Sequence, residues 1–304
     1  MCALLHPQRN HVWLIFHPRI IMGLLFEDLI PDSFDYDAYL NDNKINLLLG
    51  ETLNDGNILE KTIRPPTFNV DINNATPFPS EYDDLVRLHY IVRSRKALTV
   101  LEFGVGKSTI VMADALLSNR LCYSEYTNAN LRRDGAYQIH SIDNYDDYIQ
   151  VVLSQIPEIL LKENICNLYF SELEMGVFNG RVCTYYSTLP NVCPDIIYLD
   201  GPDLFSPRGN IRGISTKQQD RMPMAADILT IEHFLQPSCL IIVDGRTANA
   251  RFLKCNLQRN WSHCYNEQWD QHYFELQESP LGVYNKKMID FCLADSFYNR
   301  ISVN

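Results

Sequence analysis

Nine cysteines are scattered through the 304 residues without a single C-x-x-C pair or any other paired spacing. That excludes a dithiol redox motif and a zinc ribbon defined by spacing, and it does not suit a secreted disulfide framework. Cys166, Cys239 and Cys292 border or lie within apolar runs, where a thiol packs as a small hydrophobe. The pattern fits a reducing cytoplasm. His233, His263 and His272 are the histidines a zinc site would draw on, but nothing in their spacing favours one.

A long basic run is also missing. The 26 Lys and Arg stand against 37 Asp and Glu, a formal net charge of -11. An acidic surface repels a phosphate backbone, so no nucleic-acid partner is expected. The short clusters Arg93-Ser94-Arg95-Lys96 and Arg132-Arg133 read as helix-end or solvated-loop features. Long apolar stretches are absent too. The amino-terminal "MCALLHPQRNHVWLIFHPRIIMGLLFEDLI" is interrupted by His6, Arg9, His11, His17 and Arg19 and lacks a small-residue cleavage site. It is a poor signal peptide and too broken to cross a membrane, so no membrane partner is expected. Met22 serves equally well as a start, which would leave residues 1–21 as an over-extended reading frame.

What the sequence does contain is a globular balance, 46% hydrophobic and 21% charged, and a chain long enough for one large α/β domain with an extension. Residues 1–76 carry no sustained period and include the turn signals Asn54-Asp55-Gly56-Asn57 and Pro65-Pro66. They are expected to form an extension on a main domain over 77–304. That domain opens with a helix in which Ser80 and Asp83 make a capping-box signature and Leu85, Leu88 and Val92 share one face.

Beyond it, strands and helices alternate. The expected strands are "TVLEF", "YQIHSID", "NLYFSEL", "DIIYLD" and "CLIIVD", followed by "HYFELQE" and "KMIDFCL" as late antiparallel strands. The expected helices cover 108–117, 146–161, 224–235 and 247–257. Near-continuous apolar strands separated by helices imply an α/β, Rossmann-like, doubly wound and mostly parallel seven-stranded sheet, with helices on both faces and an antiparallel C-terminal edge. Ligands of such sheets bind beyond the carboxyl ends of the strands, where the strand order reverses. The residues at those ends are Glu102 to Gly106, Asp143, Glu172, Asp200 to Asp203 and Asp244.

The loop "LEFGVGKST" admits three readings. A P-loop requires G-x-x-x-x-G-K-[ST], and the position of its first glycine is Leu101, although Lys107 and Ser108 are in place. Glu102 would then set a carboxylate beside the phosphates. A dinucleotide fingerprint fails at its third glycine, which is Thr109, and its acid is expected about 20 residues on. The third ligand, S-adenosylmethionine, has no phosphate. It needs a tight glycine turn and carboxylates near its ammonium group and ribose diol, which Glu102, Gly104, Gly106 and Asp143 supply.

Pro77 to Leu276 resembles a class I, Rossmann-like S-adenosylmethionine-dependent methyltransferase. The motif "LEFGVGKST" is similar to the E-[FW]-G-x-G-x-S-T variant of that family, and "SID" and "IIYLDGPD" fit the same branch. The resemblance implies that Glu102, Gly104 and Gly106 line the methionine end, that Asp143 binds the ribose and that Asp200 borders the transferred methyl. Glu172 joins the cofactor-binding set by its strand-end position. One departure concerns Asp143, which lies 39 positions beyond Gly104 and requires residues 118–137 to form an inserted loop.

Methyl transfer mainly needs nucleophile and methyl held in line, with a general base only where the acceptor must lose a proton. Asp200 and Asp244 are the candidate catalytic carboxylates. Related oxygen methyltransferases place such carboxylates on a divalent metal, but Gly245 stands where that branch has another oxygen ligand and Arg246 adds positive charge. A metal is therefore not favoured. An ordinary Asp244–Arg246 ion pair is the plainer alternative, and His233 reads as a packing residue. Substrate-binding candidates are Arg208 and Arg212 in the long loop 205–223, Tyr186 in a second wall and Arg246. The expected acceptor is a small molecule or saccharide methylated at oxygen. The rival readings are a P-loop-like phosphotransferase and a catalytically inactive cofactor-binding or scaffold domain.

Overall fold

Every residue of Thr99–Phe103 is buried, as a strand covered on both faces requires. This is β1. The computed structural model describes residues 29–51, 80–218 and 220–302. The 76/77 boundary, the turn signals at 54–57 and 65–66, and residues 1–21 lie outside them.

β1 pairs in parallel with Gln138–Asp143 (β2) on one side and, out of chain order, with Ile196–Leu199 on the other. β2 pairs with Cys166–Phe170 (β3), and Leu173–Phe178 (β4) and Arg181–Tyr186 (β5) form a separate antiparallel hairpin. Ile196–Leu199 is thus β6, followed by Leu240–Asp244 (β7), Trp261–Asn266 (β8) and Gln271–Leu276 (β9). The sheet order is β3-β2-β1-β6-β7-β9-β8, with β9 antiparallel to β7 and β8 antiparallel to β9. This is a doubly wound, mostly parallel seven-stranded sheet with an antiparallel edge.

Strand alternation divides the core. Val100, Ile196, Tyr198, Leu240 and Ile242 face one apolar layer, and Leu101, Phe103, Ile197, Leu199, Ile241 and Val243 face the other. Helices Tyr82–Ser94 and Lys107–Asn130 cover the first face, and Asp227–Ile231 and Thr247–Asn256 the second. In chain order the helices are α1 (Tyr36–Asn43), α2 (Ile45–Leu48), α3 (Tyr82–Ser94), α4 (Lys107–Asn130), α5 (Asp146–Gln155), α6 (Glu158–Lys162), α7 (Asp227–Ile231), α8 (Thr247–Asn256), α9 (Gly282–Cys292) and α10 (Asp295–Ser302). Leu40 and Ile45 of the amino-terminal segment pack with Leu85, Val86 and Val111, which fastens α1 and α2 to α3 and α4.

Several expected elements take a different form. The inserted loop at 118–137 is mostly helix, because no Gly or Pro interrupts the chain from Lys107 to Asn130 and α4 simply continues. Asn119 anchors that continuation by donating from Nδ2 to the carbonyls of Val92 and Ala97. "NLYFSEL" divides between β3 and β4. The helix expected at 146–161 breaks at Pro157 into α5 and α6. The helix expected at 224–235 shortens to α7 and a 3₁₀ turn, Glu232–Phe234. "KMIDFCL" is helical, since Met288, Ile289 and Phe291 are buried at helical spacing in α9. The missing edge strand is β8, whose half-exposed, polar residues give little apolar signal. Ser80 does not cap α3; its hydroxyl donates to Glu51 Oε1, and Asp83 pairs with Arg87.

Candidate functional site

The strand order reverses at β1, between β2 and β6, and the loops after β1 and β6 are stapled together there. Asp200 N and Gly201 N both donate to the carbonyl of Phe103, at 3.0 and 2.5 Å. Gly104 has φ of +103°, and a Cβ placed on it would lie 2.7 Å from Gly201 N. Its missing side chain therefore makes room for the neighbouring loop, whereas the sequence suggested room for a ligand. Gly106 has the open side: a Cβ there meets only Ser108 Oγ, at 3.5 Å.

The backbone N–H groups of the glycine loop are committed to protein acceptors. Gly104 N donates to the Ile142 carbonyl at 2.8 Å, Val105 N to Asp143 Oδ2 at 2.9 Å and Gly106 N to Thr109 Oγ1 at 3.1 Å. A phosphate nest is made of such groups pointing outward, and here all three point into the protein. Lys107, the counterpart of a P-loop lysine, pairs with Glu51 of the amino-terminal segment at 2.7 Å. Glu51 also accepts from Tyr82 and Ser80, and these donors with Lys107 hold its carboxyl below the ordinary range against the opposing effect of burial.

Glu102 is fully buried. Its carboxyl accepts from the hydroxyls of Ser108, Thr109 and Ser141, each at 2.5 Å, so it knots β1, the start of α4 and β2 together. Burial raises its pKa to about 7 against the pull of those hydroxyls. Asp143 accepts from Val105 N through Oδ2 and from Tyr145 N through Oδ1. Burial raises its pKa to about 6, with the backbone donors opposing. Both acids named from the sequence as cofactor contacts thus act first as the frame of the loop. The 39-residue interval to Asp143 is filled mainly by the 24 residues of α4, followed by residues 131–137 and β2, and the loop and Asp143 meet in space.

The ends of β6 and β7 carry the more open chemistry. The Asp200 side chain is 58% exposed, with Arg246 Nε 3.8 Å from Oδ1. Arg246 Nη2 donates to the Pro202 carbonyl at 3.0 Å, and its buried Nη1 has no protein acceptor. The alternative of an Asp244–Arg246 ion pair is not what forms: Arg246 pairs with Asp200. Asp244 instead accepts from Tyr198 OH through Oδ2 at 2.7 Å and from Gln271 Nε2 through Oδ1 at 3.1 Å. Burial, with the charge of Asp200 behind it, raises its pKa above the usual carboxylate range. A divalent cation does not fit this donor set. The cationic place beside Asp200 is taken by Arg246, and both oxygens of Asp244 already serve neutral donors. Among the described residues, no group of three or more His, Cys, Asp or Glu side chains is placed to hold a metal ion.

The remaining candidates scatter around this centre. Glu172 and Arg208 pair with each other on the surface. Arg208 also exchanges backbone bonds with β4, through Leu173 and Met175, so the long loop is partly strand-bound. Arg212 is exposed at the tight Ile211–Ile214 turn. Tyr186 is a correction: it is buried, stacked on Phe103 at 5.9 Å, and its hydroxyl donates to the Ile142 carbonyl. His233 is another, being exposed on the 3₁₀ turn before β7 where a packing residue was expected. Sequence reasoning missed Tyr198 and Gln271 around Asp244, Gly201 against Gly104, and Glu51 against Lys107. Only Gly201 carried a signal, as part of "LDGP".

No protein-family profile matches the sequence, and no curated protein matches it. Solved structures do align. The O-methyltransferase TomG from Streptomyces achromogenes, in complex with SAM, is 12% identical over 84% of this chain and 94% of its own, with a TM-score of 0.35. An O-methyltransferase from Bacillus cereus in complex with SAH is 11% identical over 82% of this chain and 94% of its own, with a TM-score of 0.33. The SAH-bound methyltransferase PaMTH1 from Podospora anserina is 12% identical over 66% of this chain and 80% of its own, with a TM-score of 0.33. Similarity at these scores does not carry function across, so the functional reading rests on the strand order and the site.

Proposed function

We propose that this protein is an S-adenosylmethionine-dependent methyltransferase that acts at oxygen on a small-molecule or saccharide acceptor. The observation that carries the reading is the glycine loop. It sits at the strand-order reversal, keeps Gly106 open on one side, and turns its N–H groups inward, which suits a cationic nucleoside and not a polyphosphate.

Gly106, Asp143, Asp200 and Glu172 are the residues we assign to holding the cofactor, with Glu102 and Gly104 shaping the loop that receives it. When bound, the cofactor supplies an electrophilic methyl group on a sulfonium. The chain's own residues do the rest. Asp244, held by Tyr198 and Gln271 and raised in pKa, is suited to accept a proton from an acceptor hydroxyl near neutral pH. Arg246 Nη1 offers a buried donor to the acceptor, and Arg208 and Arg212 lie on the loop we assign to the acceptor's outer part. The eight described cysteines are all free, which agrees with a reducing compartment, and we place the protein in the cytoplasm. Among the described residues no helix is long and apolar enough to cross a membrane.

Calorimetric titration with S-adenosylmethionine, and separately with ATP and magnesium, tests the proposal. Micromolar binding of the first and none of the second is expected; the reverse would replace it with the phosphotransferase. Binding without methyl transfer to any of a panel of phenolic, carboxylic and sugar hydroxyls would favour a scaffold domain.

A further inference from the structure

Gln271 opens β9 directly opposite Asp244 in the antiparallel ladder and is 1% exposed. Its side-chain amide lies between two carboxylates from different elements. Nε2 donates to Asp244 Oδ1 at 3.1 Å and reaches Asp84 Oδ1 of α3 at 3.4 Å. The other end of the amide is fixed as well, because Tyr273 OH donates to Gln271 Oε1 at 2.5 Å. A flipped amide would turn its oxygen on two carboxylates, which cannot donate when ionised, so the carboxylates select the orientation with Nε2 towards them.

Asp84 has its own anchor. The Arg87 guanidinium pairs with Asp84 and Asp83, is fully buried, and lies with Cζ 4.2 Å from the centre of the Trp269 ring. The result is one polar line, Arg87–Asp84–Gln271–Asp244–Tyr198, an ion pair followed by three hydrogen bonds, which joins α3 to the candidate base. We infer that Gln271 is a positioning residue, which holds the Asp244 carboxylate in place and supports its charged form through an amide that Tyr273 and Asp84 keep aimed at it. The inference rests on the proposed function only in naming Asp244 the base.

The charged and titratable groups facing Asp244 come from every element around it. Tyr198 and Asp200 come from β6 and its end, Arg87 from α3 with Asp84 reached through Gln271, and Tyr273 from β9. Arg246, from the loop that follows Asp244, stands beside Asp200. All of them are left in place by the substitution Gln271→Met, which keeps the side chain's length and removes the donors. Carbon-13 NMR of the Asp carboxyl groups in the full-length chain, with the Asp244 signal assigned by its loss in Asp244→Asn, reads the titration directly and needs no substrate. In Gln271→Met the Asp244 midpoint should rise by about one pH unit, a tenfold gain in proton affinity. In Tyr273→Phe, which frees the amide to turn, it should rise by less. An unchanged midpoint in folded Gln271→Met overturns the inference, and if that variant does not fold, an unchanged midpoint in Tyr273→Phe does so. Neither result depends on cofactor binding, so failure of the methyltransferase reading would be seen separately, in the calorimeter.

Discussion

Gly104 and Gly201 lie backbone against backbone. A Cβ on Gly104 would stand 2.7 Å from Gly201 N, and a Cβ on Gly201 would stand 2.5 Å from Gly104 N. Two loops that follow different strands are thereby brought closer than any side chain allows, at the point where the sheet order reverses. The contact is a condition of the fold before it is a feature of the site.

The first prediction follows from it: a side chain at Gly104 disturbs the fold itself and not only a ligand. Gly104 combines a φ of +103° with a backbone neighbour that cannot yield. Gly104→Ala should cost more than about 3 kcal/mol, and Gly201→Ala a similar amount. Chemical denaturation measures this, and a Gly104→Ala protein of wild-type stability would contradict it.

Gly106 should behave in the opposite way. Its backbone is extended and its missing side chain faces open space, so Gly106→Ala should keep stability within roughly 0.5 kcal/mol of wild type. Its cofactor affinity should fall by about tenfold or more, because the added methyl enters the space assigned to the ligand. Parallel thermal melts and calorimetry separate the two effects.

Glu102 gives a pH prediction. Its pKa is raised from 4.5 to about 7 by burial. The folded state therefore holds its proton more tightly than the unfolded chain, and this contribution to stability is complete below pH 4.5 and lost as pH rises to about 7. Glu102→Gln lacks that dependence, so the stability difference, wild type minus variant, should shrink across this window and level off above it. At neutral pH the variant should still be less stable by roughly 1–3 kcal/mol, because an amide cannot accept from three hydroxyls as a carboxyl does. Melting curves of both proteins from pH 4 to 8 provide the check.

Lys107 is the residue on which a nucleotide-binding reading would stand. Its partner is Glu51, and both side chains are partly exposed. Lys107→Ala should destabilise the protein by no more than about 1 kcal/mol and leave S-adenosylmethionine binding within a few-fold of wild type. A loss of binding beyond tenfold would mean that the lysine contacts the ligand.

Periodicity and strand-end chemistry were legible in the chain itself. Buried strands at 99–103, 138–143, 196–199 and 240–244 announce themselves as apolar runs, and the parallel α/β class follows from their alternation with helices. The glycine loop and the acids at the strand ends were equally readable, since they are local in sequence. Hydrogen-bond partners across the sheet were not. Nothing near Glu102 predicts that its carboxyl faces Ser141, nothing near Asp244 predicts Tyr198 and Gln271, and nothing near Lys107 predicts Glu51. Those pairings depend on which strands become neighbours, and strand order is decided by how the helices pack on the two faces. The sequence by itself therefore determined which residues gather at one edge of the sheet. Only the tertiary structure decided which of their polar groups are used up holding the loops and which, like Arg246 Nη1, are left without a protein acceptor, because a buried polar group takes whatever partner the packing brings within reach.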